Sequence, residues 1–293
     1  MSVAFVFPGQ GSQQIGMMSG FAVHRAVRDT FAEASDALGD DLWKLVDEGP
    51  ADALGLTRNT QPVMLTAGVA VWRAWQAAHG PAPVYVAGHS LGEYSALVAA
   101  GALAFRDAVP LVRFRAEAMQ EAVAAGVGAM AAVIGADDAA VTEACREAAQ
   151  GEVVEPVNFN APGQIVIAGN KSAVERAMAA AKARGAKRAM LLPVSAPFHS
   201  SLLKPAAARL ATRLAEVEFG APAIPVIHNV DVQPHATADE IRRALAARGV
   251  THVVECGPGK VLAGLTRRID ESLTAFALID AAALDEAREA LET

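Results

Sequence analysis

At 293 residues the chain is long enough for one large α/β domain, alone or with a smaller domain set into it. It is 53% apolar but only 5% aromatic, so its core is built mainly from small and branched aliphatic side chains. A net charge of −7 argues against non-specific nucleic-acid binding, and the longest apolar run, 96–105, is too short to cross a bilayer. The two cysteines, Cys145 and Cys256, have no metal-type spacing and imply a reducing, cytoplasmic setting. The first residues lack the basic start of a signal peptide.

The first predicted element is a buried-type strand, 3–7, ending in Pro8-Gly9-Gln10-Gly11-Ser12. That loop has neither the Gly-Lys-Ser/Thr of a phosphate loop nor the glycine spacing of a dinucleotide fingerprint, so its amides are left to face a pocket. Helices are predicted over 21–38 and 62–78, the second with Pro62 near its start and Gly80 after its end. A β-branched run from Val84 then leads through Gly88-His89-Ser90-Leu91-Gly92 into a helix beginning at Glu93. This is G-x-S-x-G in the strand–turn–helix context that a nucleophile elbow requires. Both flanking residues must be small for so sharp a reversal, and a serine held there is strained. An ordinary strand–helix turn with an incidental serine is the plainer reading, and the flanking elements favour the nucleophile.

The next predicted helix, 107–125, is capped by Asp107. Leu111, Val112, Ala118, Met119 and Ala122 share its apolar face with Arg115, whereas Arg113 falls opposite as a solvated charge. A guanidinium drawn inward needs an anion, either a core acid or a substrate carboxylate held in a bidentate fork. Strand, helix, strand, strand, helix, strand follow over 128–135, 137–150, 153–158, 164–169, 172–185 and 187–194. That order is the ferredoxin-like split motif and predicts a small domain, 126–193, inserted into a large α/β domain formed by 1–125 and 194–293. The loop Ser195-Ala196-Pro197-Phe198-His199 leads into a helix over 202–216. Strands are predicted at 225–230, 252–256 and 275–280, with a turn at Gly257-Pro258-Gly259-Lys260 opening a short helix.

A serine nucleophile needs a base. His199 leads modestly, sitting at a loop–helix junction after a proline. His24 and His79 lie on surface-type helical segments, His89 adjoins the serine on a turn, and His228, His235 and His252 suit solvated or packing roles.

Five motifs, Phe7-Pro8-Gly9-Gln10-Gly11-Ser12-Gln13, Gly88-His89-Ser90-Leu91-Gly92-Glu93, Asn160-Ala161-Pro162-Gly163-Gln164, Pro197-Phe198-His199 and Glu255-Cys256-Gly257-Pro258-Gly259-Lys260, occur in an order that resembles the malonyl-CoA:acyl-carrier-protein transacylases along nearly the whole chain. The resemblance implies an α/β-hydrolase-like large domain with a ferredoxin-like insert, and ping-pong acyl transfer from coenzyme A to a carrier protein's phosphopantetheine thiol, supplying fatty-acid synthesis. It implies that Ser90 is the nucleophile and His199 its base, that the N–H groups of Gln10 and Leu91 form the oxyanion hole, and that Arg115 holds the malonyl carboxylate. Asn160 would line the site, and Phe198, beside His199, is expected to exclude an α-methyl branch. No metal or cofactor is implied, and the chain is expected to be a monomer. The carrier is acidic, which makes Lys182, Arg184, Lys187 and Arg188 candidates for its docking. One departure concerns 241–250: between Leu245 and Ala246 this chain lacks a family segment whose glutamine carbonyl orients the histidine. The rival readings are a serine esterase or thioesterase, a non-catalytic acyl-binding module, and a transacylase of polyketide assembly.

Overall fold

The computed structural model describes residues 1–124, 126–194, 196–229 and 250–292. The stretch 230–249 lies outside the described residues, and with it His235, the end of the strand expected over 225–230, and the junction of Leu245 and Ala246. The chain divides into two compact units, Arg115–Ala215 forming one and Met1–Phe114 with the described residues from Glu216 onward forming the other.

The first unit is a parallel sheet with helices. Strands β1 (Val3–Phe7) and β2 (Tyr85–Gly88) join three later strands, β7 (Val226–Ile227), β8 (His252–Cys256) and β9 (Thr274–Leu278), in the order β7-β2-β1-β8-β9. Every pairing is parallel. β1 is central and buried along its whole length, which is why Val-Ala-Phe-Val-Phe shows no polar alternation. Phe5 lies edge-on to Trp72 and Trp75, with centroids 5.3 and 5.2 Å away.

Helices α1 (Arg25–Leu38), α2 (Leu42–Glu48), α3 (Ala51–Gly55) and α4 (Thr57–Ala77) lie between β1 and β2. The short α2 and α3, between Gly39 and Leu56, have too few turns to give a readable period. α4 starts five residues before the expected 62, so Pro62 lies inside it rather than at its entrance. The earlier turn is held by side chains that satisfy α3 carbonyls, Asn59 Nδ2 to Ala53 O at 2.9 Å and Thr60 Oγ1 to Leu54 O at 2.6 Å. α5 (Gly92–Ala99) follows the elbow, and α6 runs Phe105–Glu121. Asp107 is therefore a first-turn acid of α6 and not its cap. Phe105 is buried beneath the Arg73 guanidinium, 4.7 Å from its ring centre, and draws the helix start back by one half-turn. Arg113 is not solvated: its side chain is 14% exposed and pairs with Asp40 at 2.8 Å, because the face opposite the apolar stripe is also covered.

The second unit is antiparallel. β3 (Gly128–Ile134), α7 (Asp138–Ala149), β4 (Val154–Ala161), β5 (Gln164–Asn170), α8 (Lys171–Ala183) and β6 (Arg188–Leu191) form a sheet of order β4-β5-β3-β6. Asp137 caps α7 by accepting the Ala140 N–H at 2.7 Å. The inward faces of α7 and α8, among them Val141, Ala144, Val174 and Ala177, close over Val133, Ile165 and Ile167. This unit also takes in the end of α6 from Arg115, and α9 (Lys204–Leu214) after a 3₁₀ turn at Ser201–Leu203. In the first unit α10 (Val261–Ile269) follows β8, and α11 (Ala281–Glu292), not foreseen from sequence, ends the described chain. Among the described residues no helix is long and apolar enough to cross a membrane, and both cysteines are buried and free.

Candidate active site

The elbow is a matter of excluded volume. Ser90 adopts φ 52°, a left-handed backbone that side chains rarely tolerate. A Cβ at Gly88 would lie 1.9 Å from the Gly92 carbonyl carbon, and one at Gly92 would lie 2.1 Å from Phe7 O. Both glycines of the motif are thus steric necessities, packed against each other and against the end of β1. Gly9, in the loop after β1, is equally confined, since its Cβ would meet His89 O at 2.7 Å. The first loop therefore runs alongside the elbow. It is braced by Gln10 Nε2 to Thr57 Oγ1 at 3.2 Å and by the Gly11 N–H to Gln13 Oε1 at 2.7 Å. Neither the Gln10 N–H nor the Leu91 N–H has an acceptor among the described residues. Two unspent amides beside a strained serine are suited to receive an oxyanion.

Two residues that sequence reasoning passed over complete this side. β2 pairs with β7 through Val86 to Val226 and Ala87 to Ile227, so the next residues, His228 and Asn229, emerge beside the elbow. His228 is not merely solvated: its Nδ1 lies 2.7 Å from Glu93 Oε1. Asn229 bonds Gly88 O, Glu93 and the Ser90 N–H. Their only signal in the sequence is a polar pair directly after an apolar run, and its meaning depends on knowing that β7 neighbours β2.

Arg115, His199, Asn160 and Phe198 belong to the antiparallel unit. Arg115 and His199 line one cavity of about 290 Å³, with Met119, Leu203, Lys204 and Leu210. His199 is exposed and, like Ser90, has a left-handed backbone, at φ 65°. Its loop is fixed from several directions. Ser200 Oγ donates to Pro197 O at 2.7 Å, the Phe198 N–H to Ala196 O at 3.0 Å, and the Ser201 N–H to a Glu155 carboxylate oxygen at 2.7 Å. Phe198 is 7% exposed. Asn160 sits where β4 slips register against β5, between Phe159 and Ala161. All four basic candidates for carrier docking, Lys182, Arg184, Lys187 and Arg188, are exposed, and Arg184 also pairs with Glu147. No cluster of His, Cys, Asp and Glu suited to a metal occurs among the described residues.

A parallel α/β sheet that delivers a serine on a G-x-S-x-G elbow, with free amides beside it, is the architecture of enzymes that pass acyl groups through a serine ester. Residues 4–276 match the acyl transferase domain family. The malonyl CoA-acyl carrier protein transacylase of Escherichia coli (strain K12) is 57% identical over 304 residues, covering 98% of each chain. An acyl-carrier-protein S-malonyltransferase from Burkholderia pseudomallei 1710b superposes with a TM-score of 0.95 at 58% identity, over 99% of this chain and 100% of that one. A malonyl-transacylase solved in complex with a type II PKS acyl-carrier protein gives a TM-score of 0.96 at 50% identity, with coverage of 99% and 100%. The chain belongs to the acyl transferase family and, within it, to the malonyl-CoA:acyl-carrier-protein transacylases. It is an acyltransferase. The E. coli alignment is longer than this chain's 293 residues, so that relative carries residues this chain lacks.

Proposed function

We propose that this chain moves a malonyl group from coenzyme A to the phosphopantetheine thiol of an acyl carrier protein, through a malonyl ester on Ser90, in the cytoplasm and for fatty-acid synthesis. The parallel unit is read as the α/β-hydrolase-like body and 126–193 as a ferredoxin-like insert, with the enzyme working as a monomer and without a cofactor. The observation that carries the reading is the shared cavity of Arg115 and His199, a carboxylate clamp and a base in one place.

His199 takes the Ser90 proton as Oγ adds to the thioester carbonyl. The resulting oxyanion is received by the Gln10 and Leu91 amides. The carbon–sulfur bond breaks and His199 returns the proton to the departing coenzyme A thiol. In the second half the carrier's thiol gives its proton to His199, attacks the malonyl ester, and Ser90 leaves reprotonated. Arg115 pairs with the malonyl carboxylate throughout, and an acetyl group would leave that guanidinium without its substrate partner. Asn160 lines the site and Phe198 restricts branching at the α-carbon. Lys182, Lys187 and Arg188 offer an acidic carrier a local basic surface on a chain whose net charge would otherwise repel it.

Intact-mass and peptide mass spectrometry after mixing with malonyl-CoA is the test. The expected result is one malonyl adduct on the Ser90 peptide, absent in Ser90→Ala and discharged by phosphopantetheinylated carrier protein. Absence of an adduct would remove the reading, and release of free malonate faster than transfer would make the chain a thioesterase.

A further inference from the structure

Ser90 sits in a backbone conformation that nothing in its own side chain favours, so something must hold it. Steric confinement by Gly88 and Gly92 limits the alternatives but does not aim the hydroxyl. The polar groups around the turn converge on one side chain. Asn229 Nδ2 donates to Gly88 O at 3.0 Å and also to the Glu93 carboxylate, while Oδ1 faces the Ser90 N–H at 3.5 Å. The Asn229 backbone N–H adds a bond to Glu93 Oε2 at 3.2 Å. Two acceptors on one end of the amide and a donor on the other fix its orientation, because a flipped amide would set oxygen against oxygen twice. Asn229 thus ties together the residue two before Ser90, Ser90 itself, and the residue three after it. The second Glu93 oxygen is taken by His228 Nδ1 at 2.7 Å, so the carboxylate cannot swing away from Asn229.

We infer that Asn229, seated by Glu93 and His228, is the positioning residue that holds the Ser90 elbow in its reactive geometry; the inference rests on Ser90 being the nucleophile. The side-chain chemistry demanded at 229 is an amide. A carboxylate there would lose both donors and face Glu93 with like charge, and an aliphatic side chain would leave Gly88 O and Glu93 short of a partner. Asn229 touches no reacting atom. Its influence is on where Oγ points and on where the adjoining Leu91 amide is presented, and both terms affect bond formation more than substrate binding.

The experiment uses the full chain with Asn229→Ala, Asn229→Asp and the reciprocal pair Asn229→Asp/Glu93→Gln. The first readout is the rate of Ser90 labelling by a fluorophosphonate, which needs the nucleophile but neither a malonyl group nor a carrier. The second is kcat and KM for malonyl transfer, with thermal unfolding to establish that each variant is folded. Both single variants are expected to lose about 10²-fold in labelling rate and in kcat, while KM for malonyl-CoA stays within about threefold of the parent. The reciprocal pair restores an amide facing a carboxylate and is expected to label about fivefold faster than Asn229→Asp alone. Labelling of folded Asn229→Ala within about twofold of the parent, or a loss confined to KM, would overturn the inference, as would a reciprocal pair no faster than the single Asp variant. Should Asn229→Ala give no folded protein, the nearly isosteric Asn229→Asp carries the same comparison. A parent that labels at Ser90 yet takes no malonyl group would defeat the proposed substrate, and the labelling rates would still decide the role of Asn229.

Discussion

Ser90 and His199 share a left-handed backbone, yet the chain keeps them there by different means. At Ser90 the frame is volume, since Gly88 and Gly92 have no space for a single added carbon and the nearest obstacles are backbone atoms of their own motif and of β1, and the Asn229 bonds only aim the turn within that frame. At His199 the means is mainly hydrogen bonds from scattered positions, Ser200 Oγ to Pro197 O and the Ser201 N–H to Glu155, with the Pro197 ring packed against Gly128. The other non-glycine residues with positive φ among the described ones, His79 and Gln150, lie at helix C-terminal ends, where such a backbone is commonplace. A steric lock is stiff and local, whereas a lock of hydrogen bonds can relax. That difference decides which substitutions destroy the fold and which only detune the site.

The largest effect is expected at the steric lock. Gly92→Ala drives a carbon to 2.1 Å from Phe7 O, a backbone atom of the central strand, and should cost more than about 3 kcal/mol or prevent folding. Gly101→Ala is the control: its φ is +72° but nothing lies within 4 Å, so only the left-handed penalty of about 1–2 kcal/mol applies. Gly128→Ala, at the start of β3, meets the Pro197 ring at 2.4 Å, a side chain of a loop rather than the backbone of a central strand, and should fall between the two in stability while lowering acyl transfer. Chemical denaturation of the three variants checks the order. A Gly92→Ala protein as stable as Gly101→Ala would break the comparison.

The next effect is one of specificity. Arg115 shares its cavity with His199 and stands one helical turn before Met119. Arg115→Ala should lower malonyl transfer by at least about 10²-fold and leave acetyl transfer unchanged or raised, because only the carboxylated acyl group gives up an ionic partner. Acylation rates with the two thioesters, measured side by side, decide it. An equal loss for both would make Arg115 a support for the loop rather than a clamp.

The same contrast explains how much of the molecule could be read from its residues. The elbow was legible because everything it needs is contiguous: a β-branched strand, two glycines, a serine and a helix within ten residues. The β-α-β-β-α-β order was legible too, since each element carries its own period and its own glycine or Asp punctuation. Asn229 was not, because its meaning comes from β7 lying next to β2, a fact of strand order and not of spacing. Arg113 misled for a related reason. A helical wheel sorts faces by polarity, and it cannot show that Asp40, far away in sequence, covers the polar face. Pro62 misled by a local rule, for proline marks a helix start only when no tertiary contact extends the helix beyond it, and Asn59 and Thr60 supply such contacts.

The smallest effect tests whether the unit bearing His199 is the one tuned by bonds and therefore by pH. Glu152, before β4, accepts Arg176 at 2.8 Å and Ser172 Oγ at 2.7 Å, tying that turn to α8. The Arg176 bond first, and the Ser172 bond second, hold its carboxyl below the ordinary value of 4.5. A folded-state pKa below the unfolded one means that the unfolded chain binds the proton more readily as the pH falls. The contribution is therefore complete above the ordinary carboxylate range and is lost as the pH drops through the depressed folded value. Because the group is well solvated, the effect is small and screened by salt. Thermal unfolding of the parent and Glu152→Gln should differ slightly at neutral pH and coincide once the pH lies well below that range. Gly101→Ala should instead keep the same deficit across the series, because backbone strain binds no proton. A deficit in Glu152→Gln that persisted undiminished into acid would show that the turn is held by packing, and the division between a steric elbow and a bonded His199 unit would lose this support.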